Sequence, residues 1–104
     1  MSRKKAIDEQ EKINNDFNEI KEDIKKLEEL NNALENPLNI ENTEEEQKSI
    51  EDNLQQAGDQ ILKNKKSKAT KSQKSAAEKM EQLAEKLDKM QQDSAQQQQE
   101  EDME

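Results

Sequence analysis

From Ile13 to Leu34 the seam residues fall at alternating steps of four and three: Ile13, Phe17, Ile20, Ile24, Leu27, then Asn31 and Leu34. Such spacing keeps side chains on one face of a helix, and a repeat of about 3.5 residues is the seam of helices packed as in a coiled coil. Leu30 widens the stripe toward the face of a bundle helix, and Glu and Lys fill the outside. The pattern ends at Asn36-Pro37, because proline disfavours helical backbone in the residue before it. A first helix is therefore expected over about residues 5–35.

A second helix is expected over 43–64. Thr43 can cap its start and Glu46 can complete a capping box, with Glu44 and Glu45 placing negative charge at the positive end of the helix dipole. Ile50, Leu54, Ala57 and Ile61 continue the seam. Gly58 lies inside this run at a cost of about 1 kcal/mol relative to alanine. Leu38 and Ile40, in the linker between the two helices, are expected to tuck against them.

The seam falters over residues 63–75, which hold six lysines, no acid and a single apolar residue, Ala69. It resumes as Ala76, Met80, Leu83, Leu87 and Met90, shifted by about one residue. One reading ends a helix at Lys63, Lys65 and Lys66, where cations suit the dipole, and starts a third at Ser72 or Ser75, the latter boxed by Glu78. The other keeps one helix throughout with a local change of winding. We favour the break, with a third helix over 72–95. Residues 96–104, rich in Gln, Glu and Asp, are expected to form a flexible tail.

The fold expected is all-α, an antiparallel helical hairpin or three-helix bundle with coiled-coil-like packing, in a single domain over residues 1–95. Composition supports helix over strand: Val, Tyr and Trp are absent, and Phe17 is the one aromatic residue. Apolar residues make up 27% of the chain and charged residues 41%, so any core is thin and association is expected, with a second copy or with another helical protein. No apolar run approaches the ~20 residues that span a bilayer. After the basic start Met1-Ser2-Arg3-Lys4-Lys5, the residues Asp8, Glu9 and Glu11 stand where a signal peptide needs its apolar stretch.

Without Cys or His, thiol nucleophiles, imidazole acid–base chemistry and the usual zinc sites are excluded. The carboxylates lie on solvated helix faces rather than converging in a pocket that would shift their pKa values. Glu41, Glu44, Glu45 and Glu46 lack the glycine of a calcium loop and read as helix-start electrostatics. No catalytic residue, metal ligand or cofactor site is expected, and the chain is read as a non-catalytic structural or protein-interaction segment.

The interaction seam expected is the apolar stripe: Ile13, Phe17, Ile20, Ile24, Leu27 and Leu34 on the first helix, Ile50, Leu54 and Ile61 on the second, and Met80, Leu83, Leu87 and Met90 on the third. Lys63, Lys65, Lys66, Lys68, Lys71 and Lys74 form a candidate basic patch in a chain of net charge −9. Such a patch could dock nucleic acid or an anionic surface. Nucleic acid is the less favoured partner, since the stretch has no arginine to read bases and no aromatic to stack on them. Asn31, at a seam position, is read as a register device whose replacement by leucine should raise the melting temperature.

Three strings, Glu35-Asn36-Pro37-Leu38-Asn39-Ile40, the acidic start at residues 43–46, and Ser72-Gln73-Lys74-Ser75-Ala76-Ala77-Glu78-Lys79-Met80, resemble part of an uncharacterised family of large membrane-anchored Bacteroidetes proteins. The resemblance covers about residues 10–92. It implies a soluble helical fragment of a cell-envelope protein, lying outside the cytoplasm, and it brings no catalytic residues.

Overall fold

A computed structural model describes residues 2–103. Three helices, α1 (Arg3–Asn32), α2 (Glu44–Leu62) and α3 (Lys66–Asp102), pack against one another as an all-α bundle. The seam residues meet in its centre: Phe17, Leu27, Ile50, Leu54, Leu83 and Leu87 are among those buried in one cluster, with Ile20, Ile40 and Met90 against its edge. A smaller cluster of Ala6, Ile61 and Ala69 closes one end.

Side-chain bonds give the helix directions. Gln73 reaches the Ala6 carbonyl, and Glu101 reaches the Glu35 backbone, so α1 and α3 rise together. Gln60 meets Ser72, Asn53 meets Lys79 and Glu46 meets Lys86, so α2 runs against α3. The result is a rod of 60 × 20 × 16 Å. At about 1.5 Å per residue, the 19 residues of α2 cover only half of the 37 residues of α3. The remaining length is covered by α1 and by residues 33–43, which return along the bundle with Leu38 and Ile40 half-buried.

Helix boundaries differ from the sequence reading in four places. The first helix stops at Asn32 rather than near residue 35. The break in the lysine run is confined to residues 63–65, where Asn64 adopts φ 59°, the left-handed conformation that asparagine tolerates better than most residues. That turn accounts for the one-residue shift in the seam. α3 then starts at Lys66, so Ser72, Ser75 and Glu78 lie inside a helix and cap nothing. Its heptad runs unbroken through Ala69, Gln73 and Ala76, because a buried glutamine fills the seam position between the two alanines.

The third difference is at the start of α2. Thr43 is buried and makes no side-chain cap bond; its hydroxyl accepts from Gln47 Nε2 at 3.0 Å. Asn42 Oδ1 instead accepts the Glu44 N–H at 2.9 Å, and Glu46 turns toward Lys86, 3.8 Å away. No capping box forms. The fourth is the tail expected over residues 96–104: α3 continues to Asp102, with Ser94 buried and Glu101 accepting from the Glu35 and Asn36 amides, while Glu104 lies outside the described residues.

Candidate interaction surfaces

Ten of the thirteen expected seam residues are buried inside this chain's own bundle: Ile13, Phe17, Ile24 and Leu27 from α1, Ile50, Leu54 and Ile61 from α2, and Met80, Leu83 and Leu87 from α3. Ile20, Leu34 and Met90 are half-buried. The stripe therefore builds the fold and leaves little of itself for another chain.

The expected basic patch is gathered at one pole. The turn at residues 63–65 puts Lys63, Lys65, Lys66, Lys68, Lys71 and Lys74 at the end where α1 begins, so Arg3, Lys4 and Lys5 join them. All nine are exposed except Lys66, which is half-buried, and none makes an ion pair among the described residues. Lys63, Lys65 and Lys68 border a polar notch of about 290 Å³ with Asp59, Gln56 and Gln60. Arg3, Lys4 and Lys5 are far from the lysine run in sequence, and only the helix directions unite them with it.

The opposite pole is acidic, with Glu28, Glu29, Glu35, Glu100, Glu101 and Asp102 on the last turns of α1 and α3 and the segment between α1 and α2. The four expected helix-start acids lie midway along the rod. Glu41 binds Lys86 Nζ at 3.1 Å and Glu46 lies 3.8 Å from it, while Glu44 and Glu45 face solvent. The hydrogen bond that Lys86 donates to Glu41, then the negative charge of Glu41 and Glu46, raises the Lys86 pKa above its ordinary 10.5.

Polar contacts inside the bundle were also hidden by residue type. Gln73, 3% exposed, donates to the Ala6 carbonyl at 3.0 Å and to Gln10 Oε1 at 3.1 Å. Gln10 in turn donates to the Leu54 carbonyl at 2.9 Å, so one glutamine pair ties all three helices at one level. A second tie joins Lys79 of α3 to Ser49 and Asn53 of α2, at 2.7 and 2.6 Å. The signal was present in the period: three residues back from Ile13 is Gln10, and three back from Ala76 is Gln73.

Between α1 and α2, near the basic pole, the bundle opens into a groove of about 720 Å³. Its α1 wall carries Arg3, Ile7 and Glu11, and its α2 wall Leu54, Gly58, Asp59 and Leu62. Ile7 is 46% and Leu62 73% exposed, beside their buried neighbours Ala6 and Ile61. A Cβ at Gly58 would meet no atom within 4 Å, so this part of the wall is open space. The seam period passes over Ile7 and Leu62, which sit one residue off it.

Among the described residues no helix is long and apolar enough to cross a membrane. Neither a family model, a curated protein nor a solved structure matches the chain.

Proposed function

We propose that this chain is a non-catalytic structural and protein-interaction segment, a stiff helical spacer that holds a basic end and an acidic end apart. One observation carries the reading: polar ties fix the register of the helices at several levels along a 60 Å rod. They are the Gln73–Gln10–Leu54 chain near the basic pole, the Lys79 bonds to Ser49 and Asn53 in the middle, and the Glu101 bonds to the Glu35 and Asn36 amides at the acidic pole. Such a rod suits an extended region of a larger bacterial envelope protein, as the resemblance implies. Spin labels on the variants Lys4→Cys and Gln98→Cys test it. The register puts the labels about 40 Å apart along the axis, in one narrow distribution unaffected by salt. A broad distribution overturns the spacer.

The second reading is docking of an anionic partner at the basic pole, favoured by the convergence of Arg3, Lys4 and Lys5 with the lysine run. Titration with a DNA duplex and with anionic vesicles, repeated as salt rises, separates the two readings, because phosphate contacts weaken steeply with ionic strength.

A further inference from the structure

We infer that the groove between α1 and α2 is a self-association site, which a second copy of this chain fills by two-fold symmetry. The inference deepens the protein-interaction reading and rests on it. The groove has apolar side chains in its walls, and two large ones, Ile7 and Leu62, are exposed to water. Two antiparallel helices with such a groove complete a four-helix arrangement when a second antiparallel pair is laid on them. What selects a second copy is the order of residues along each wall. On α1, Ile7 lies four residues after Arg3 and four before Glu11. On α2, Gly58 lies four residues after Leu54 and four before Leu62.

A two-fold axis crossing both helices at Ile7 and Gly58 reverses their direction in the partner. It lays Arg3 of one copy against Glu11 of the other, twice, and Leu62 against Leu54, twice. Every helix then has antiparallel neighbours over the overlap, which runs from Arg3 to Glu11 on α1 and from Leu54 to Leu62 on α2. The self-complementary order is what an isologous interface requires. Gly58 sits on the axis, where the absence of a side chain lets the two α2 backbones approach closely. Asp59, next to Gly58 in the same wall, also borders the notch lined by Lys63, Lys65 and Lys68, whose positive charge offsets its approach to its symmetry mate.

Sedimentation equilibrium of the full chain from about 10 μM to about 1 mM tests the pairing. The parent should populate a dimer across that range. Gly58→Lys should be monomeric and, at a dilution where the parent is monomeric too, melt no lower than the parent, because its Cβ enters open space in the single bundle. Arg3→Glu and Glu11→Arg should each weaken the dimer about tenfold, and the double variant should recover it. Arg3 and Glu11 are two turns apart on one helix, so the recovery can only come from contact between copies. A parent that stays monomeric, a dimer indifferent to Gly58→Lys, or a double variant no tighter than the single ones overturns the inference. The spin-label distance, read at dilution, reports on the spacer independently of any of these results.

Discussion

Asn31 and Leu38 are joined twice: the Asn31 amide Nδ2 donates to the Leu38 carbonyl at 2.8 Å, and the Leu38 N–H donates to Asn31 Oδ1 at 3.0 Å. Asn31 is 5% exposed and lies on the α1 seam, but its partner is the backbone of the returning segment, not a neighbouring helix. The side chain thus supplies both polar groups of a residue that belongs to no helix, and it holds Leu38 and Ile40 against the bundle where α2 is absent.

That geometry reverses the expectation for leucine at this position. Asn31→Leu removes a donor and an acceptor together and leaves two backbone groups short of partners, at about 1–3 kcal/mol. Chemical denaturation should show a loss of that size. Amide exchange should accelerate at Leu38 while the core of α3 keeps its protection. A variant as stable as the parent would mean that water replaces the side chain at no cost.

The turn between α2 and α3 gives a second prediction. Asn64 holds φ 59°, while the Lys63, Asn64 and Lys65 amides donate to the Asp59, Ile61 and Gln60 carbonyls at the end of α2. Glycine is the residue best suited to this conformation, and a β-branched residue among the worst. Asn64→Gly should keep or raise the melting temperature, and Asn64→Val should cost about 1–2 kcal/mol. In the parent, rapid amide exchange should be confined to residues 66–68, the unpartnered first turn of α3, with protection from Ala69 onward. Rapid exchange reaching residue 75 would restore the later helix start.

The fold was legible where large apolar residues carry the period. Ile13 through Leu27 and Met80 through Leu87 gave helices, faces and the bundle without further help. It was illegible where the same period is written in polar residues: Gln73, Ser94 and Gln97 hold seam positions of α3, which therefore reads as shorter at both ends than it is, and Gln10 does the same on α1 before Ile13. Capping is not legible locally: Thr43 and Ser75 match the capping-box motif, yet Thr43 is buried without a side-chain cap bond and Ser75 lies inside α3. The lysine run was visible as a composition, but its convergence with Arg3, Lys4 and Lys5 depends on helix direction. The α1–α2 groove had no signal at all in the heptad, since Ile7 and Leu62 lie beside it.

The glutamine layer yields a third prediction. Gln10 and Gln73 meet at 3.1 Å, and each also holds a backbone carbonyl of a third or neighbouring helix. Residues bonded to each other do not act independently. A cycle of Gln10→Ala, Gln73→Ala and the double variant, followed by denaturation, should give a coupling energy of about 0.5–1.5 kcal/mol. Additive losses would show that the two amides are satisfied separately and that the layer does not fix the register of α1 on α3.

The last prediction concerns pH at the acidic pole. Glu101 accepts from Gln97 Nε2 at 3.0 Å and from the Glu35 and Asn36 amides at 2.7 and 3.2 Å. The bond from Gln97, opposed in part by desolvation and reinforced by the two backbone amides, holds its carboxyl below the ordinary glutamate value of 4.5. A carboxyl with a lowered folded pKa stabilises the fold above its unfolded value, and that contribution is lost as the pH falls through the folded value. The Glu35 and Asn36 amide proton shifts should therefore titrate with a shared midpoint below 4.5. Glu101→Gln should abolish that titration and loosen residues 33–36 at neutral pH, while Glu100→Gln leaves both unchanged. Lys86 has the opposite sign: its raised pKa stabilises the fold below 10.5, and that contribution is lost as the pH rises through the folded value. Amide shifts at Glu35 and Asn36 that titrate at or above 4.5 would show that Glu101 does not clasp the segment after α1.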